Sequence, residues 1–283
     1  MNGNVLVWLN DPQNWTGTRT TPGIGAQIAV HLWYTAIALL IAGAIAFPLG
    51  LFLGHTGRAA WLVSVANGLR SLPTVGLLIL LYVMVSPLIG GRGDAVYLVP
   101  TQIVLVLLAL PAILANTYAG VRNVSPTVRD AARGMGMTDR QVLFRVELPN
   151  ALPLVFSGVR SAALQVIATA TIAAYVGLDG LGRYVYDGLA SRQFGQMAGG
   201  AVLVAALALL VDGVLSLVQR LTVSRGVSGR FSRRSAGGDS RTAAVTELAG
   251  PGSGDGGPGG AGRPRRTTAP VAVLEPSGER PSG

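Results

Sequence analysis

Two histidines, no cysteine and no lysine leave this 283-residue chain few routes to covalent or metal chemistry. Without a thiol there is no disulfide, iron–sulfur or thiolate-zinc site. Without lysine there is neither a G-x-x-x-x-G-K-[ST] phosphate loop nor a Schiff base. His31 and His55 are too far apart for H-E-x-x-H, and all 22 basic residues are arginine. The remaining polar chemistry falls into two sets. One is an arginine-rich stretch, 124–150. The other is a scatter of polar side chains inside apolar runs: Asn116, Gln165, Thr169 and Thr171. Polar groups within a membrane are costly, so these four are candidates for a translocation path or for hydrogen bonds between helices. Thr169 and Thr171, two apart, cannot share one narrow face of a regular helix. Asp212 reads as half of a structural ion pair, and Arg160 as a side chain reaching back to the cytoplasmic rim.

The apolar runs define the class. Half of the residues are apolar, only 12% are charged and mean hydropathy is +0.49, whereas soluble domains carry about 25% charged residues. A spanning helix needs roughly 20 apolar residues. Five stretches qualify: 28–53, one within 59–89, 96–118, 152–177 and 199–218. The second is too long for one span and contains Asn67, Arg70 and Pro73, so 59–70 reads as an interfacial or re-entrant piece and 72–88 as the span. Expected is an all-α polytopic membrane protein of about five transmembrane helices. Residues 1–24 form an extracytoplasmic or interfacial segment, 25–222 the membrane domain and 223–283 a tail. The first 24 residues lack the apolar core of a signal peptide.

Arginine in short loops sets orientation. Eleven arginines, Arg58 among them, fall on the side of 122–145 and 220–234, and four (Arg19, Arg92, Arg183 and Arg192) on the other. The N-terminus is therefore expected outside and the C-terminus in the cytoplasm. Residues 226–283 hold 14 Gly and 6 Pro without apolar periodicity, which predicts a disordered cytoplasmic tail. Trp61, Tyr82, Tyr97 and Tyr118 are candidates for a cation–π cage, although aromatic belts at the membrane interface account for most of them.

The 124–150 loop carries its own punctuation. Ser125-Pro126 predicts an N-cap with proline in the first turn, and Gly134 and Gly136 a C-cap that needs positive φ. Thr138 with Gln141 predicts a capping box, Met137 with Val142 a hydrophobic staple, and Pro149 the end of the second helix. Two short helices joined by a tight glycine turn follow. A DNA-binding helix-turn-helix is disfavoured: both ends are tethered to spans, and the third helix of such a domain is missing.

Asp130-Ala131-Ala132, three residues, Gly136, nine residues, Val146, one residue and Leu148-Pro149 resemble the EAA loop of bacterial ABC-importer permeases, E-A-A-x3-G-x9-I-x-L-P. Asp replaces Glu and Val replaces Ile; the spacing matches throughout. LRSLPTVG at 69–76, LPAILANTY at 110–118, GMGM at 134–137 and ATATIAAYVG at 168–177 with GLG at 180–182 are similar to the glycine betaine/carnitine/choline permeases within that family. Leu178-Asp179 stand where that group usually has small residues. The resemblance covers roughly residues 25–222. It implies a coupling loop, 130–149, docked on an ABC ATPase subunit dimer that binds ATP and Mg, so the chain has no cofactor or ATPase site of its own. It also implies a second permease copy or paralogue, and an extracytoplasmic substrate-binding protein docking near 177–197, with Gly177, Gly180 and Gly182 as a candidate outer gate. The expected cargo is a quaternary-ammonium osmoprotectant carried across a bacterial cell membrane, with no nucleic-acid partner. Amino-acid or methionine import is the alternative. An ATPase-independent transporter is a third class, but neither internal repeats nor a proton-relay carboxylate is seen.

Overall fold

The computed structural model describes residues 4–17, 22–58, 60–90 and 93–223. The tail predicted at 223–283 lies outside them from residue 224 onward. The described residues form a helical bundle. Two short helices, α1 (Val5–Asn10) and α2 (Pro12–Thr16), precede the long α3 (Ile24–Thr56). Then come α4 (Ala60–Gly68), α5 (Thr74–Ile89), α6 (Ala95–Arg122), α7 (Pro126–Gly134), α8 (Asp139–Val142), α9 (Leu148–Ala170), α10 (Gly182–Ala190) and α11 (Phe194–Thr222). Four helices are long and apolar enough to cross a membrane, and a fifth crossing arises if the bent pair of α4 and α5 is counted as one span.

That bent pair follows the reading of 59–89. The two helices meet at 95°. Proline explains the break: Pro73 lacks an N–H and disfavours helical backbone at the residue before it. Leu72 is accordingly extended, at φ −72° and ψ 135°.

The centre of the bundle is α6, packed between α3 and α9. Small residues make this possible. Ala38, Ala42, Ala46, Gly50 and Gly54 recur every four residues along one buried stripe of α3. A Cβ at Gly50 would lie 2.7 Å from Thr117 Cβ, and one at Gly54 2.7 Å from Val121 Cβ. On the other flank, a Cβ at Gly158 would lie 2.6 Å from Asn116 Cβ. Lipid chains are as apolar as leucine, so such close backbone approach, rather than the hydrophobic effect, holds membrane helices together. α11 is the least buried of the long helices. It is tied in by charge, with Arg160 on α9 bonding both oxygens of Asp212 through Nε at 2.9 Å and Nη2 at 2.8 Å. The structural pair expected for Asp212 is there, but Arg160 does not reach for the rim as expected. A bidentate partner one helix away satisfies the guanidinium without leaving the bundle.

The second helix of the 124–150 loop also departs from expectation, since it does not stop before Pro149. Chain 139–170 is helical throughout, passing through one widened π turn at Leu143–Glu147. There the Leu148 N–H donates to the Leu143 carbonyl, five residues back. Proline breaks helices because it has no N–H and its ring strikes the carbonyl four residues earlier. The widened turn just before Pro149 alters that four-residue spacing, and Pro149 itself sits in the first turn of α9. Span four therefore begins before residue 152, and its last turns, Thr171–Val176, tighten to a 3₁₀ helix.

Candidate functional site

The loop between α6 and α9 builds its geometry locally. Pro126 occupies the first turn of α7, but the Ser125 hydroxyl makes no capping bond and lies 3.4 Å from Thr127 Oγ1. α7 ends in a Schellman turn: Gly136 N–H donates to the Arg133 carbonyl at 2.9 Å and Met137 N–H to the Ala132 carbonyl at 3.2 Å. Of the two glycines expected to serve this turn, Gly134 is helical and Gly136 alone takes the left-handed conformation, at φ +85°. A Cβ there would meet nothing within 4 Å, so the turn needs glycine for its backbone and not for space. The capping box is complete, with Gln141 Oε1 accepting from Thr138 N–H at 2.8 Å and Thr138 Oγ1 from Gln141 N–H at 3.4 Å. Arg133 bridges the two short helices from Asp130 at 3.7 Å to Asp139 at 3.2 Å.

The residues of the D-A-A…G…V-x-L-P pattern divide by exposure. Asp130, Ala131, Gly136 and Pro149 face outward, Val146 and Leu148 are half-buried, and Ala132 is buried. Val128, Met135 and Phe144 add exposed apolar surface to the same loop, Met135 being 74% exposed. Leu148 packs with Leu143 and Phe47 on the cluster of Leu51, Val121, Ala151 and Val155.

One residue of this loop escaped the sequence reading as a site. Glu147, the unspecified position between Val146 and Leu148, is completely buried. Its carboxylate accepts from His55 Nδ1 at 2.7 Å and pairs with Arg129 Nε at 2.9 Å. Arg129 Nη2 also donates to the Val121 carbonyl at 2.5 Å. A single carboxylate thus joins the last turn of α3, the helix α7 and the root of α9, with the end of α6 held through Arg129. The signal was an acid set between apolar residues, but which partners would meet it depends on chain 18 and 92 residues away.

The four candidate path residues are half-buried. Asn116 lies against Gly158 and donates to the Ala112 carbonyl at 2.8 Å. Gln165 and Thr169 share a stripe of α9 with Gly158 and Ala162, at spacings of four, three and four. Thr171 lies beyond it in the 3₁₀ turn, donating to the Ala168 carbonyl at 2.7 Å. The proposed aromatic cage does not assemble among the described residues. Tyr82 and Tyr97 stack at 5.5 Å, while Tyr118 packs into the main core and Trp61 is exposed on α4.

At the opposite end of α3 from His55, a second polar lock holds the glycines of 177–182. Gln27, His31 and Thr35, one turn apart, are all buried. Gln27 Nε2 donates to Asp179 Oδ1 at 3.2 Å, and its Oε1 accepts from the Gly180 N–H. His31 Nε2 donates to the Ile167 carbonyl at 3.0 Å. Gly177 closes the 3₁₀ turn, Gly180 turns the chain, and Gly182 is so close to the Thr171 carbonyl that no side chain fits between them.

Residues 46–225 match the family described as binding-protein-dependent transport system inner membrane component. Among curated proteins, the carnitine transport permease protein OpuCB of Listeria monocytogenes is 35% identical over 194 residues, which span 68% of this chain and 85% of that one. The glycine betaine/carnitine/choline transport system permease protein OpuCB of Bacillus subtilis is 32% identical over 70% of this chain and 88% of its own. An inward-facing structure of the MetNI methionine ABC transporter superposes with a TM-score of 0.63 at 22% identity, covering 76% of this chain and all of that one. At that identity the likeness establishes the fold alone. With its family pattern spaced intact and nearly two thirds of its length matched, this chain belongs to the inner-membrane permease components of binding-protein-dependent transport systems.

Proposed function

We propose that this permease carries quaternary-ammonium osmoprotectants, of the glycine betaine, carnitine and choline class, into a bacterial cell across its plasma membrane. The observation that carries the driven-transport part of this reading is the Glu147 junction inside the loop of the family pattern. A capped pair of helices exposes Met135 and Phe144 outward and is fastened inward to α3, α6 and α9. A push on such a loop reaches several membrane helices together, whereas a floppy loop would absorb it. The partner supplying the push is an ABC ATPase dimer, which would hold ATP and Mg; the chain itself is a transport subunit that hydrolyses nothing. The loop faces the cytoplasm and the 177–197 end faces outside, where a substrate-binding protein delivers cargo. A second permease completes the path. The relatives' names support this substrate class over amino acids.

The test is uptake of labelled glycine betaine under high salt in cells with and without the gene, in a strain stripped of other betaine carriers. Uptake that depends on the gene, and that choline and carnitine inhibit, supports the reading. Gene-dependent uptake of methionine instead would replace the substrate class, and no gene-dependent uptake of any of these would refute it.

A further inference from the structure

At the end of the bundle away from the ATPase-facing loop, α1 and α2 fold back over α10 and the start of α11. They enclose a cavity of about 410 Å³. Its walls combine three kinds of group. Trp8 and Tyr184 are paired edge to face, ring centres 5.1 Å apart at 69°. Asp179 and Asp187 supply carboxylates, and Arg183 a guanidinium. Each is held in place. Trp8 presses its benzo edge onto Gly199, where no side chain would fit. Asp179 is gripped by Gln27 at 3.2 Å, and Tyr184 donates to the Pro22 carbonyl at 3.3 Å. Arg183 reaches Asp187 and the Gly177 carbonyl, both at 3.3 Å. Those long contacts use two of its five N–H donors.

The volume lies in the range of small-molecule sites. An aromatic pair beside a carboxylate suits a cation too large and too weakly hydrated for ordinary hydrogen bonding, such as trimethylammonium. A guanidinium on the same wall suits a carboxylate. Burial and the charge of Asp179 push the Tyr184 phenol up to about 12, further from ionisation than an ordinary tyrosine. The geometry points to a receiving site for a zwitterion that joins a quaternary ammonium to a carboxylate, with the ammonium against Trp8, Tyr184 and Asp179 and the carboxylate on Arg183. This inference rests on the substrate class proposed above, and adds that the permease itself binds the cargo where it enters.

The experiment uses the permease–ATPase complex in lipid nanodiscs, without binding protein, titrated with radiolabelled glycine betaine. Saturable binding is expected, with carnitine competing. Choline, which lacks the carboxylate, should compete about tenfold less well, and acetate should not compete. Asp179→Asn and Trp8→Leu should each weaken binding about tenfold, while Arg183→Gln should remove the preference for betaine over choline. Trp8→Leu also thins the packing of α1 on α11, so Asp179→Asn, whose amide oxygen can still accept from Gln27 Nε2, serves as the variant that keeps the packing and this hydrogen bond. Absence of saturable binding, or binding that Asp179→Asn and Arg183→Gln leave unchanged, overturns the site. If the complete transporter still imports betaine in that case, only the site has failed. If it imports no quaternary ammonium at all, the substrate class fails with it.

Discussion

Replacing Glu147 by alanine strips one carboxylate from a junction that holds the Arg129 guanidinium and the His55 imidazole. The side chain is 1% exposed, those of Arg129 and His55 13% and 17%. Glu147 is fully buried, and Arg129 and His55 are largely withdrawn from solvent. Breaking a buried pair from one side costs about 3–5 kcal/mol, because the remaining charge stays buried. Arg129 keeps the Val121 carbonyl, which places Glu147→Ala near the low end, about 3 kcal/mol. Glu147→Gln keeps the volume and an acceptor for His55, and loses only the charge-assisted part, about 1–2 kcal/mol. For a chain of this size these figures correspond to midpoint shifts of about 6–12 °C and 2–8 °C. Thermal unfolding of the purified permease in detergent reads the order Ala, then Gln, then wild type. A second assay separates joint from scaffold: in the reconstituted transporter, betaine uptake should fall further than ATP hydrolysis. An alanine variant that melts with the wild type and transports at the wild-type rate would refute the idea that Glu147 fastens the loop to the bundle.

Gly136→Glu should insert and fold, since open space surrounds the site and only the φ +85° backbone resists, at about 1–2 kcal/mol; uptake should nevertheless be lost, and normal uptake in vivo would remove Gly136 from the docking surface. Gly158→Ala should destabilise the fold by about 1–3 kcal/mol through overpacking, as its Cβ meets Asn116 at 2.6 Å and the Ala112 carbonyl at 2.9 Å; an unchanged thermal midpoint would mean that α6 and α9 part without cost. Tyr184, with its phenol raised to about 12, favours the protonated form in the folded state. Its contribution is therefore whole below pH 10 and fades as pH rises through about 12. Unfolding measured from pH 8 to 12 should show wild type losing more than Tyr184→Phe at the alkaline end, and parallel curves would contradict it.

The features legible in the sequence are those whose causes lie within a few residues. The break at Leu72-Pro73, the Thr138–Gln141 box and the turn at Gly136 each depend on neighbours in the chain, and each forms as read. What was not legible depends on distant chain. Glu147 looks like any loop acid until His55 and Arg129 fold onto it, and the partner of Arg160 sits 52 residues away. Pro149 misled for a related reason. A proline argues for a helix end only if the preceding turn is an α turn, and the wider turn at 143–147 is settled by packing. Likewise, Trp8, Asp179 and Tyr184 meet only because α1 doubles back onto α11.

The widened turn has a consequence for chain length. Val142 and Glu147 are both fully buried, though five residues apart. In an unbroken α-helix five residues advance about 500°, roughly 140° past the starting face, and one of the two would point at solvent. The wide turn absorbs much of that overshoot, so both face inward, and Ala151, Val155 and Gly158 continue inward below them. Here residue count acts as an angle. One residue added between Val142 and Glu147 would not lengthen the rod so much as turn its two halves against each other by about 100°. The loop would then swing its exposed Phe144 to a different bearing while the membrane half stayed where it was. In this segment an insertion or deletion would act like a misset gear, leaving each helix sound and their meshing lost.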